Sequence, residues 1–235
     1  MKLSDRLLTV ASMIEGNKVL ADVGTDHGYV PIYLAQENKI THAIAMDINE
    51  GPLCRARENI AAYNVSDRVE TRLSDGLCSL KPYEAQSILI AGMGGLLINR
   101  ILGDSLEAAH SAEELVLSPH SDIDKVREFV LEHGFTITDE RIVREDGKYY
   151  FAIRIVNGSE PMYDEAELIY GRILPRKKDE LMHEYLNSEY ALYCRIKENL
   201  DNSGNSVRKE QVRHRIAIIE KVLDGYECQR DNRST

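Results

Sequence analysis

No Cys-x-x-Cys pair occurs anywhere in the 235 residues. The four cysteines, Cys54, Cys78, Cys194 and Cys228, stand far apart, which argues against a zinc site and a disulfide framework and leaves reduced thiols as the expectation. Long hydrophobic runs are also missing: nothing approaches the roughly 20 residues that span a bilayer, and Met1-Lys2-Leu3-Ser4-Asp5-Arg6 lacks the apolar core of a secretory signal. A cytoplasmic protein with neither membrane nor metal is expected. An excess of positive charge is absent as well. The net charge of -10 speaks against a nucleic-acid partner if taken as a sum, because phosphate binding rests on basic surface. The distribution is uneven, with -8 over residues 1–157 and -2 over residues 158–235. The second segment holds two basic clusters, Arg172/Arg176/Lys177/Lys178 and Arg208/Lys209/Arg213/Arg215, each of which reads as a solvated helix face or as a set of phosphate contacts.

What is present is a chain that is 43% hydrophobic and long enough for one sizeable domain plus an appendage. Apolar runs alternate with helical patterns from the start, the signature of βα units on a parallel sheet. A first helix is expected over 3–14, strands over 19–23, 43–47, 69–73, 87–91 and 115–117, and helices over 29–37, 52–63, 96–103 and 124–133. Two further strands, 135–143 and 149–156, flank Glu145-Asp146-Gly147-Lys148, where Asp-Gly is a strong hairpin signal. Five βα units followed by an antiparallel pair match the class I, Rossmann-like methyltransferase sheet better than the six-stranded dinucleotide fold. The polar breaker Asn157-Gly158-Ser159-Glu160-Pro161 divides a first domain, 1–157, from a helical second one, 158–235. There Pro175 is expected to separate a short helix, 164–173, from a long one, 176–200, with Asn202-Ser203-Gly204-Asn205-Ser206 turning the chain. Leu181, Tyr185, Leu192, Ile196 and Leu200 on the long helix, and Val212, Ile216, Ile219 and Leu223 on the returning one, recur at helical spacing and predict an antiparallel coiled-coil hairpin.

The first strand ends in Asp22-Val23-Gly24-Thr25-Asp26-His27-Gly28, an acid and two glycines just before a helix. An α/β sheet makes room for a nucleotide-like ligand at this edge. A dinucleotide fingerprint needs Gly-x-Gly-x-x-Gly, whereas this loop is Gly-x-x-x-Gly with Asp26 where a pyrophosphate would be repelled. Acids at Asp22 and Asp26 suit S-adenosylmethionine instead, which has no phosphate and carries a sulfonium and an ammonium. Asp47, which ends the second strand 23 residues after Gly24 and precedes Ile48, suits ribose hydroxyls, and Asp75-Gly76 after the third strand offers an acceptor to an adenine amino group. The fourth strand ends in Gly92-Met93-Gly94-Gly95, where backbone passes close to ligands, and lacks the Asn- or Asp-Pro-Pro-aromatic motif of exocyclic amine methylation. The fifth ends in Ser118-Pro119-His120, at the same rim.

Asp22-Val23-Gly24-Thr25-Asp26-His27-Gly28-Tyr29, Gly92-Met93-Gly94-Gly95, Leu117-Ser118-Pro119 and the coiled-coil tail together resemble the TrmK family, bacterial tRNA (adenine-N1)-methyltransferases acting on adenosine 22. The resemblance covers nearly the whole chain. It departs at Ser118-Pro119-His120-Ser121, where relatives are expected to carry a Gln-Pro-Asn type of loop. The resemblance implies S-adenosylmethionine held by Asp22, Gly24, Thr25, Gly28, Asp47, Ile48, Asp75, Gly76, Gly92 and Met93, and a catalytic centre of Asp26, His27 and Tyr29. It also implies tRNA as partner, met by Arg6, Gly94, Pro119 and His120 near the site and by Arg172, Arg176, Lys177, Lys178, Arg208 and Arg213 on the hairpin, in a monomer or weak dimer. The alternative is a class I methyltransferase for a small molecule or protein, with the coiled coil used for dimerisation.

Overall fold

The structure, a computed structural model, describes residues 1–16, 18–201 and 206–227. They form two compact units, Met1–Met162 and a second beginning at Tyr163.

The first unit is built on a seven-stranded sheet of order β3-β2-β1-β4-β5-β7-β6. Its strands are β1 (Lys18–Val23), β2 (Ile40–Asp47), β3 (Val69–Leu73), β4 (Ser87–Met93), β5 (Glu114–Pro119), β6 (Phe135–Glu145) and β7 (Lys148–Asn157). Helix α1 (Asp5–Ala11) precedes β1, and α2 (Tyr29–Gln36), α3 (Glu50–Ala62), α4 (Gly95–Gly103), α5 (Leu106–Ser111) and α6 (Ile123–Glu132) fall between the strands. Strands β1 to β5 pair in parallel, and β7 runs antiparallel to both β5 and β6. Central parallel strands are covered on both faces, so they are continuously apolar: Leu20, Ala21, Ile88, Leu89, Ile90, Leu115, Val116 and Leu117 are all buried. At the β6–β7 turn Asp146 and Gly147 both take positive φ, 49° and 75°, the geometry that Asp-Gly favours in a two-residue hairpin.

The class I sheet expected from the pattern is present. Two helices differ from expectation for local reasons. Helix α1 starts later because Ser4 caps it, its side chain accepting from the Leu7 amide; Met13 and Ile14 are buried in the turn that follows the helix. Helix α5 has no counterpart in the sequence pattern, since six residues are too few to show a period.

Two buried acids tie the unit together away from the site. Glu114 accepts from the Glu15 amide (2.9 Å), the Ser87 hydroxyl (2.7 Å) and Arg154 Nε (2.6 Å), joining the α1–β1 connection, β4, β5 and β7. Arg127 on α6 donates to Glu140 on β6 at 2.8 Å, with both side chains essentially excluded from solvent.

The second unit contains α7 (Glu165–Tyr170), α8 (Ile173–Lys177), α9 (Glu180–Asp201) and α10 (Ser206–Glu227). Asp164 and Glu167 form a reciprocal capping box at the start of α7. The expected division at Pro175 is displaced. Pro175 lies in the first turn of α8, where its missing N–H costs nothing, and the chain breaks instead at Gly171 (φ 81°) and Lys178 (φ 54°), after which Asp179 caps α9 by accepting from Met182. Helices α9 and α10 pack as the expected hairpin, but the stripe on α9 is shifted by one residue. Met182 and Leu186 are fully buried, while Leu181 and Tyr185 are half-buried and Leu192 is exposed; on α10 Val212, Ile216 and Ile219 are buried as expected. Turn residues 202–205 and Cys228 lie outside the described residues.

Removing one partner of a buried ion pair strands a charge in the core. Glu140→Ala is expected to lower stability by about 3–5 kcal/mol, whereas the double variant Arg127→Met/Glu140→Leu loses much less. Urea unfolding followed by circular dichroism measures both.

Candidate active site

Strand β1 is flanked by β2 on one side and β4 on the other, so the connections leaving β1 and β4 diverge and open a crevice at their carboxyl ends. Asp22, in β1, is buried under this crevice. Burial pushes its carboxyl up to about 6; a hydrogen bond from Thr25 opposes the rise, and the charge of Asp47 adds to it. Among the described residues no basic side chain pairs with it. The chain then turns at Gly24 (φ 77°), where the amides of Gly24 and Thr25 both donate to the Met46 carbonyl, at 2.8 and 2.9 Å. It enters α2 through Gly28 (φ 68°).

Two pockets share Gly24. A cavity of about 360 Å³ is lined by Asp22, Thr25, Asp26, His27, Gly28 and Tyr29 from the β1–α2 segment, by Gly92 from β4, and by Arg6 and His120. A smaller pocket of about 90 Å³ is lined by Asp47, Ile48, Asp75, Gly76, Met93 and Leu97. One Asp47 oxygen accepts from the Asn49 amide at 2.7 Å. Asp75 faces Arg100 at 3.4 Å, and the buried Ser74 hydroxyl braces the turn by donating to the Gly76 carbonyl.

Most of the site residues expected from sequence thus meet at one crevice, and three differ from their expected surroundings. Asp26 is exposed and already shares its charge with Arg55 on α3 and with His27, 3.2 Å away. Gly94 and Pro119 line neither pocket. A Cβ on Gly94 would meet the Ser121 hydroxyl at 3.2 Å, and one on Gly95 would stand 2.6 Å from the carbonyls of Ser121 and Asp122, so this glycine pair lets the loop after β5 approach. His27 and Tyr29 are stacked, ring centres 4.9 Å apart and planes at 8°, with the His27 carbonyl accepting from Asn59. Arg6 lies against His120 at 3.5 Å and over Tyr150, and its guanidinium is 3.7 Å from Glu145. Burial, then Arg6 and Lys148, hold the His120 imidazole below its ordinary range.

Arg55, Asn59, Leu97, Arg100, Glu145 and Tyr150 belong to the site or its supports without a sequence signal. Leu97 and Arg100 lie on α4 just after the glycines that end β4, Arg55 and Asn59 on α3, and Glu145 and Tyr150 on the terminal strand pair; the patterns around them mark helix and hairpin and not a site.

In the second unit, Arg172 forks onto Glu167 at 2.7 and 2.8 Å and lies 3.8 Å over the Tyr163 ring, and Lys178 donates to the Tyr226 carbonyl. Arg215, which reads from sequence as part of a basic face, is half-buried beside Tyr170 and Tyr193. Arg176, Arg208 and Arg213 are exposed, and Lys177 also lies at the surface. Among the described residues no cluster of three His, Cys, Asp or Glu side chains forms a metal site, and no helix is long and apolar enough to cross a membrane.

A methyltransferase domain family matches residues 3–153. The tRNA (adenine(22)-N(1))-methyltransferase of Bacillus subtilis is 31% identical over 233 residues, 95% of this chain and 98% of its own length. The structure of Streptococcus pneumoniae Sp1610 in complex with S-adenosyl-L-methionine superposes with a TM-score of 0.86 at 30% identity, covering 94% of this chain and 100% of that one. M. capricolum TrmK in complex with S-adenosyl-homocysteine gives 0.84 at 29% identity, covering 96% of this chain and 100% of that one. With the crevice, its acids and its full-length relatives in agreement, the chain belongs to the tRNA (adenine(22)-N(1))-methyltransferase family.

Proposed function

We propose that this chain methylates N1 of adenosine 22 in tRNA, with S-adenosylmethionine as methyl donor. The observation that carries this reading is Asp22, a buried carboxylate with no basic partner among the described residues, facing a cavity beside an acid-lined pocket in a chain of this family. Such a group is costly without a cation, and the ammonium of the donor is one. The rest of the pocket fits the same group. Asp47 has the position to accept from ribose hydroxyls and Asp75 to accept from an adenine amino group, while Ile48, Met93 and Leu97 supply apolar walls. Gly24 completes the cradle: a Cβ there would run into Met93, 2.0 Å from its Cε.

When bound, S-adenosylmethionine supplies an electrophilic methyl on its sulfonium. The residues of the chain do the positioning. Adenine N1 keeps a free lone pair and needs no proton removed, so no general base is required, and the advantage comes from holding the base in line. The stacked His27 and Tyr29 offer a platform for a base flipped out of the tRNA. Asp26, tied to Arg55 and His27, fixes that platform and places negative charge near a base that becomes cationic on methylation. On the second unit the exposed Arg176, Lys177, Arg208 and Arg213 are proposed phosphate contacts; Arg176 stands 3.5 Å from Glu167 at the surface, whereas Arg172 forks onto the same Glu167 and serves the fold.

Two outcomes are expected. The proton competes with the donor's ammonium for Asp22, so affinity approaches its full value well above pH 6 and weakens as pH falls through about 6. Calorimetric titration of S-adenosylmethionine against pH is expected to show this, and Asp22→Asn to bind about ten- to a hundredfold more weakly at pH 7.5 with no such acid dependence. For tRNA, neutralising Arg176 or Arg213 is expected to weaken binding at low salt and to reduce the slope of log affinity against log salt by about 1 for each phosphate that is no longer neutralised. Filter binding over a salt series reads this directly.

A further inference from the structure

The wall of the cavity formed by Arg6 and His120 is assembled from separate parts of the first unit. Arg6 comes from α1 and His120 from the residue after β5; Glu145 ends β6 and Tyr150 lies in β7. Glu145 anchors the arrangement by accepting from the Arg6 amide at 3.1 Å and standing 3.7 Å from its guanidinium. The Arg6 guanidinium lies over the Tyr150 ring, 5.3 Å from its centre, and its Nη1 is 3.5 Å from His120 Nε2. The imidazole meets the same Tyr150 ring edge-on at 5.3 Å, and the His120 amide donates to the Met93 carbonyl at 2.8 Å.

Arginine has only donors, so Nε2 of His120 must accept and the ring proton belongs on Nδ1. Among the described residues no acceptor faces that Nδ1–H. His120 lines the cavity together with Gly92 and Arg6: its Cε1, the carbon between the two nitrogens, would be 4.0 Å from a Cβ on Gly92, with Arg6 Nη1 3.9 Å from the same point. The charged groups around the ring are Arg6 from α1 and Lys148 from β7, and both disfavour a second positive charge there. Charge on Arg6 is in turn offset by Glu145.

We infer that Arg6 holds His120 as a neutral Nδ1–H donor that hydrogen-bonds a purine ring nitrogen other than the reacting N1, namely N7 or N3, and so orients the target base. This inference rests on the proposed function. Neutrality has a chemical use. The base becomes a cation when N1 is methylated, and a neutral donor opposes that charge less than an imidazolium would. His120 is then a substrate-binding residue, and Arg6 and Glu145 are positioning residues that act through it.

The test uses the full chain, S-adenosylmethionine and tRNA carrying adenosine, 7-deazaadenosine or 3-deazaadenosine at position 22. The wild type is expected to lose about three- to tenfold in kcat/KM on one of the two deaza substrates. His120→Ala is expected to lose a similar factor on the adenosine substrate and nothing further on that deaza substrate, with His120→Asn, which keeps a donor, recovering part of the loss. Arg6→Met is expected to remove the same discrimination. Unchanged calorimetric binding of S-adenosylmethionine verifies that each variant is folded. The inference is overturned if the wild type loses on neither deaza substrate, if His120→Ala matches the wild type on adenosine, or if His120→Ala keeps the wild type's discrimination against the deaza substrate. A wild type that transfers no methyl to the adenosine-bearing tRNA overturns the proposed function itself.

Discussion

The structure depends on one topological constraint, the reversal of strand order at β1. Because β2 and β4 flank β1 on opposite sides, the connections that leave β1 and β4 must diverge, and no main chain closes the gap at their carboxyl ends. Everything assigned to the site hangs on that gap. Asp22 and the turn through Gly24 come from β1, Asp47 from β2, and Gly92 and Met93 from β4, while His120 follows β5. Parallel pairing fixes the register, placing Asp22 beside Ala45 on β2 and Leu89 on β4, so a buried carboxylate arrives next to apolar neighbours.

That carboxylate would destabilise the sheet if it served no ligand, since burial raises its affinity for a proton. Acids elsewhere in the unit are treated differently. Glu114 and Glu140 are as deeply buried but meet arginines and amide donors, and they fasten the strands and helices at places away from the crevice. The contrast between a satisfied structural acid and a waiting one marks the ligand end of the sheet.

The second unit follows another logic. Its apolar stripe on α9 and α10 makes a helical hairpin, and its cations divide into those used internally and those left at the surface. Arg172 and Arg215 are packed over aromatic rings, which a charge count alone cannot distinguish from exposed cations such as Arg176 or Arg213. A chain of net charge -10 thus still presents exposed cations on its second unit.

The sequence by itself determined the class of sheet, the hairpin turn at Asp146-Gly147 and the strand ends that meet at the crevice, because each is written in a local signal: an apolar period, a glycine needing positive φ, or an acid terminating an apolar run. Asp22 is legible for that reason, as an acid out of place. Local signals also mislead where two readings share one pattern. The stripe on α9 sits a residue away from its expected place, since Leu181 and Met182 are equally apolar, and Pro175 resembles a break although a first helical turn accepts it. Only the tertiary structure decided how the site's charges are partnered. Arg55 reaches Asp26 from 29 residues away, Arg100 reaches Asp75 from 25, and Glu145 reaches Arg6 from 139. Such pairings depend on which elements the sheet brings together, a property of the folded topology that no stretch of the chain carries alone.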